Sequence, residues 1–153
     1  MAGNVQPRYT TLANVSSVLI PRTTAQVKSD GTSAGAGVDF MYKVFTAGAN
    51  DSFLEKIQFK CVASAAAVTS VATTLRAYLS SVASPGATTN ADTFLIGEIS
   101  VPAIVSSHST NATNVFELPI NYPIPTGWYV HVSQHVAQTA NQAWLATAIG
   151  GDY

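Results

Sequence analysis

A chain of 153 residues fits one domain, burying roughly two thirds of its unfolded surface around a single core without disulfide or metal staples. Hydrophobic residues make up 47% but charged residues only 10%, against roughly 25% in ordinary soluble domains; Ala, Thr and Ser supply 55 residues instead, which suits tightly packed sheets and surfaces that a partner covers. The net charge of −1, with seven basic residues spread singly, excludes a nucleic-acid face; no apolar run is long enough for a secretory leader or a membrane span, so a soluble chain made in the cytosol is expected.

Residues 1–15 are polar and without periodicity, which predicts an N-terminal arm ahead of a single domain over 16–153. Val15 to Ile20 forms a first short strand, ended by Pro21, and residues 29–37 form a Gly- and Ser-rich loop without the Lys or following helix of a phosphate cradle. Asp39 to Thr46 and Ser52 to Ala63 alternate with period two, the latter placing Phe53, Ile57, Phe59 and Cys61 on one face and Lys56, Gln58 and Lys60 on the other. The alanine-rich stretch 63–72 is a connector, and Thr73 to Ser81 is a strand with Leu75, Ala77 and Leu79 inward against Arg76 and Tyr78. A long loop through Pro85 and Gly86 leads to Phe94 to Val101, stopped by Pro102. A polar loop over 106–114 leads to Val115 to Leu118, stopped by Pro119. Trp128 to Val136 and Ala143 to Ile149, joined by AQTANQ, are expected to form a terminal β-hairpin, with Gly150-Gly151 bending the chain end and Asp152-Tyr153 as an interface tail. Eight strands without a long helix predict an all-β fold, an eight-stranded antiparallel jelly-roll sandwich whose long connectors cross between sheets.

Charge is uneven along the chain. Every basic residue lies at or before Arg76; set against Asp30, Asp39, Asp51 and Glu55, that half carries +3, while Asp92, Glu98, Glu117 and Asp152 give the rest −4. Such a dipole helps like subunits meet head to tail.

No constellation carries catalysis. His131 and His135 have the spacing of a helical metal pair, but WYVHVSQHV alternates as a strand. Four strand residues span roughly 13 Å, too far to share one ion, so no metal site is expected and both histidines read as solvent-facing or interface residues. Cys61, the single cysteine, shares an apolar strand face and reads as a small buried hydrophobe, with no disulfide to form. Glu98 and Glu117 would serve glycoside hydrolysis only if the fold paired them across strands, and the serines lack a nucleophile-elbow motif. Tyr122, Trp128, Tyr129, Trp144 and Tyr153 suit either a core and interface or a sugar-stacking platform. Asn14, Asn50 and Asn111 match glycosylation sequons by chance in so Ser/Thr-rich a chain. No cofactor and no enzymatic activity are expected.

The order of FLEKIQF (53–59), TTLRAYLSS (73–81), FLIGEISVPA (94–103), ELPINYPIPTGWYVHVS (117–133) and WLATAIGGDY (144–153) resembles the small jelly-roll auxiliary proteins of tailed bacteriophages. The resemblance covers about three quarters of the chain and rests on turns and hydrophobic strands. It implies a virion protein on the capsid surface, a decoration or cement subunit that bridges copies of the major capsid protein, as a homotrimer. It transfers no catalytic, cofactor or metal residue. A fibre or tail head domain that binds host-surface glycans is the alternative.

Overall fold

The computed structural model describes residues 10–23, 25–26, 28–32, 41–65, 67–84, 89, 91–110 and 113–153. Arm residues 1–9, the loop over 33–37, the start of the second strand at Asp39 and Phe40, the turn at Pro85 and Gly86, and Asn111 lie outside them.

Ten strands and no helix occupy the described residues: β1 (Leu12–Ile20), β2 (Tyr42–Thr46), β3 (Ser52–Ala63), β4 (Val68–Thr69), β5 (Thr73–Ser80), β6 (Thr93–Val101), β7 (Val105–Ser106), β8 (Val115–Ile124), β9 (Tyr129–Gln134) and β10 (Gln142–Asp152). All pairings between them are antiparallel. They give two four-stranded sheets, ordered β1-β10-β3-β8 and β2-β9-β5-β6, and a small β4-β7 pair. One hydrophobic cluster joins the large sheets, drawing Ile20, Ile57, Phe59, Trp144 and Ala146 from the first and Val44, Leu75, Ala77, Val130 and Val132 from the second. Trp144 is fully buried and meets the Phe116 ring edge-on at 5.9 Å.

Eight strands fall where period-two alternation places them, and the structure corrects several details. Residues 12–15, expected within the arm, are instead the first half of β1: Asn14 Nδ2 donates to Asp152 Oδ1 at 2.8 Å and to Thr46 O at 3.1 Å. β4 and β7 are additional, formed within the connector and the second polar loop. β8 does not stop at Pro119 but continues to Ile124, because it is a sheet edge, where a residue without an N–H interrupts no ladder on the open side.

The terminal hairpin is absent. β9 belongs to the second sheet and β10 to the first, so the intervening residues cross between sheets rather than turn within one. Gly150 and Gly151 lie inside β10 and serve close approach instead of a bend: a Cβ on Gly150 would collide with the Phe53 carbonyl oxygen, and one on Gly151 would sit 2.7 Å from Thr10 Cβ. Asp152 is no loose tail, since its carboxylate also accepts from Ser52 Oγ at 2.5 Å and so ties β10 to β1 and β3.

β3 switches faces midway. Ser52 and Leu54 are buried, then Ile57, Phe59 and Cys61, because Glu55 is an extra residue opposite the Ile149/Gly150 step of β10. Phe53 therefore lies on the outer face, not with Ile57.

The second sheet is covered on both sides. Arg76, Tyr78, His131 and Ser133 point away from the shared cluster, yet all are buried. Residues after β1 lie over them: Gln26 N donates to Gln134 O at 2.8 Å, Arg76 Nη1 to Gln26 O at 3.4 Å, and Tyr78 OH to Lys28 O at 3.3 Å. A polar strand face is thus satisfied by backbone carbonyls instead of water.

Candidate functional site

Among the described residues, an apolar groove of about 740 Å³ lies where the edge strands β6 and β8 approach each other. Two irregularities build it. Ile96 is an extra residue in β6, since Ala77 faces Gly97 while Tyr78 faces Leu95; Phe94 and Leu95, just before it, are both exposed. β8 spends two residues, Ile120 and Asn121, against the single Glu55, and Asn121 adopts φ 51°, which turns Tyr122 outward. Trp128, held after the tight turn at Gly127 (φ 78°), stacks on Phe94 with ring centroids 6.2 Å apart and planes 20° apart. Leu79, Pro123 and Pro125 complete the lining.

Lining of this kind offers flat aromatic faces and proline rings, with the Tyr122 hydroxyl and the Trp128 indole N–H as its side-chain hydrogen-bonding groups. It suits apolar segments or the face of a sugar ring, and the Tyr122 hydroxyl is the one titratable side-chain group in its lining. Of the five aromatic residues singled out, the fold brings together Tyr122 and Trp128 only. Trp144 is in the core, and Tyr129 stands under Lys43 Nζ, 5.1 Å from its ring centroid. Phe94 and Leu95 were missed, although two adjacent large apolar residues at a strand start are a legible signal, because regular alternation can turn only one of them inward.

The remaining candidates are dispersed. Glu98 Oε2 accepts from Arg76 Nε at 3.2 Å in the second sheet, and Glu117 Oε1 from Lys56 Nζ at 3.1 Å and Gln58 Nε2 at 2.7 Å in the first. The fold does not pair the two carboxylates across strands. Cys61 is 2% exposed and donates to Gln142 Oε1 at 2.6 Å, and burial pushes its thiol up, against thiolate formation. Among the described residues no group of three or more His, Cys, Asp or Glu can hold a metal ion.

His131, expected on an exposed or interface surface, is fully buried, with Nε2 2.9 Å from Val82 O and Nδ1 lacking a partner. That geometry makes Nε2 the donor. Burial holds the imidazole below its ordinary pKa, and nearby Lys43 adds to the effect. The unfolded chain therefore binds a proton near pH 6.5 that the folded chain refuses, so stability should fall as pH drops below about 6.5 and level off below the folded value. Asp152, held low first by its bond from Asn14, acts in a separate window: its contribution is present above the unfolded Asp pKa of about 3.9 and is lost as pH falls through the lower folded value. Urea midpoints between pH 7.5 and 5 are expected to decline in the native chain and to stay nearly flat in His131→Gln; equal declines would assign the titration elsewhere.

Fold and groove together define an all-β antiparallel protein with an aromatic-lined groove. No family model matches the chain, and neither the curated proteins nor the solved structures contain a match.

Proposed function

We propose that the chain is a structural virion protein: a jelly-roll decoration or cement subunit on the capsid surface of a tailed phage, bridging copies of the major capsid protein as a homotrimer, without enzymatic activity. The pairing order supports the jelly-roll reading. Among the eight long strands the first pairs with the last (β1 with β10), the second with the seventh (β2 with β9), the third with the sixth (β3 with β8), and the middle two with each other (β5 with β6). That is the nesting of one long antiparallel ribbon folded across two sheets.

The observation that carries the assembly reading is the placement of exposed apolar side chains. Leu12, Val15 and Leu19 lie on β1, while Phe94, Leu95, Val115 and Tyr122 lie on β6 and β8, at the opposite ends of the sheets. Patches at two ends let one subunit touch two neighbours. Each bridge removes apolar surface from water at roughly 25 cal/mol per Å², less the cost of association, and capsid symmetry repeats the gain.

The purified chain is expected to co-sediment with expanded heads and to raise their disruption temperature. Removing residues 1–9 should abolish attachment and leave the fold intact, whereas cutting at 15 would also remove half of β1. Heads that neither bind the chain nor gain stability would sink this reading. The stacked Phe94–Trp128 pair beside Tyr122 favours a second reading, a fibre or tail head domain for host-surface glycans. It predicts binding to cells that Trp128→Ala abolishes, with head stability unchanged.

A further inference from the structure

Each large sheet has two edges, and three of the four are closed to a further strand. β8 carries Pro119, Pro123 and Glu117. β2 is five residues long, includes Lys43 and a register shift, and its Val44 and Thr46 carbonyls accept from the Ser16 hydroxyl and the Asn14 amide. β6 is bulged at Ile96 and carries Glu98. Bulges, prolines, charges and shortness are the devices by which sheet edges avoid unwanted pairing.

β1 has none of them. Its nine residues, LANVSSVLI, contain no charge, proline or glycine, and they run against β10 in unbroken register from Leu12↔Asp152 to Ile20↔Trp144. No other described strand pairs with its far side. Its outward side chains are Ala13, Val15, Ser17 and Leu19, all exposed, with Val15 at 60% and Leu19 at 49%.

Such an edge offers unpaired N–H and C=O groups over roughly 30 Å at about 3.3 Å per residue. A second copy of this chain fits it, because β1 is complementary to itself. Two copies related by a twofold axis pair antiparallel with like faces together only when the axis passes through a residue position. An axis at Ser17 sets Val15 opposite the partner's Leu19, and Leu19 opposite the partner's Val15, with the two Ser17 side chains facing each other. Shifting the axis to Ser16 sets Val15 against Ser17 and Leu19 against Ala13, and shifting it to Val18 sets Leu19 against Ser17; both leave the large side chains unmatched. With no charge on either strand, nothing repels the copy.

We propose that β1 is a self-association edge, pairing antiparallel with β1 of a second copy about a twofold axis at Ser17, so that two four-stranded sheets become one of eight strands. The inference rests on β1 alone and does not need the virion reading; it commits Val15 and Leu19, which that reading offers to a neighbouring subunit, to a twofold contact instead.

The register makes a sharp test. Directly opposed Cα atoms lie about 4.5–5.5 Å apart, inside the disulfide range of about 4.4–6.8 Å. In the full chain, Ser17→Cys should therefore oxidise to a covalent dimer of about twice 16.0 kDa. Val15→Cys, whose copies stand four residues apart or roughly 13 Å along the strand, should cross-link at least about tenfold more slowly. Cys61, buried and free, contributes no background bridge. By sedimentation at about 100 µM, saturating for a micromolar Kd, the native chain should be a dimer. Val15→Lys should be a monomer, and its urea midpoint should match that of the native chain when both are measured well below the dimer Kd, where association adds no stability. Equal cross-linking of the two cysteine variants, a native monomer, or a dimer that survives Val15→Lys would each overturn the proposal. A trimer indifferent to Val15→Lys would overturn it too, while leaving the threefold reading intact.

Discussion

Trp144→Ala is expected to destabilise the fold by about 3–5 kcal/mol, a fifth or more of the roughly 5–15 kcal/mol typical of a domain. Trp144 is the largest fully buried side chain. It sits on β10, which lies between β1 and β3, and packs against Phe116 from β8, so its ring serves every strand of the first sheet. The neighbouring inward positions on β10 are Ala146 and Ala148, too short to fill the space left behind. Urea unfolding should show a lower midpoint at unchanged slope. Trp144→Phe should lose much less, because the buried indole N–H has no partner and its removal relieves an unsatisfied donor. A loss below about 1 kcal/mol for the alanine variant would show that the first sheet closes around the gap.

Gly150→Ala should be the most damaging single methyl addition among the described glycines. Its φ is not in the left-handed region, so conformation is not the obstacle. The obstacle is space: the new Cβ would press on the Phe53 carbonyl oxygen and lie 3.1 Å from Leu54 Cα, both backbone atoms of the neighbouring inner strand. No rotamer change relieves a backbone collision, so the two central strands must separate, at a cost at or above the usual 1–3 kcal/mol of overpacking. Gly127→Ala is the contrast. Its Cβ meets nothing within 4 Å, and only the positive φ of 78° resists it, at about 1 kcal/mol. Midpoints should separate the two variants clearly, and a Gly150→Ala chain as stable as Gly127→Ala would mean that the β3 bulge at Glu55 can move.

The strands were legible because alternation is a local property. Lys56, Gln58 and Lys60 against Ile57, Phe59 and Cys61 mark β3 as half-buried whatever lies beside it. Partnership is not local. β9 and β10 alternate identically whether they form a hairpin or belong to opposite sheets, and AQTANQ allows either, so a crossing was mistaken for a turn. Bulges escape for a related reason: the extra Glu55 has meaning only against the unbroken Ile149–Gly150 step across from it. Prolines misled at β8 because an edge tolerates what an inner strand does not.

The polar faces of β5 and β9 were harder still. Arg76, Tyr78, His131 and Ser133 have the chemistry of a solvent face, and only residues about 50 positions away, such as Gln26 and Lys28 over Arg76 and Tyr78, reveal that water is replaced there by backbone carbonyls. Half of the groove was visible in the same sense: Tyr122 and Trp128 stood out as aromatic, but their meeting with Phe94 depends on two bulges and a sheet-to-sheet approach.

The position of β10 has a consequence for biosynthesis. β1 leaves the ribosome before the other nine described strands, and its hydrogen-bonding partner is the last of them. At about 5–20 residues per second, β1 waits on the order of ten seconds before residues 142–152 exist to receive it. The first sheet cannot assemble outward from a finished half, because the missing strand is one of its inner ones. Through that interval an uncharged apolar segment stays open to chaperones and to other nascent chains, and a chain halted before Gln142 has no route to a native first sheet.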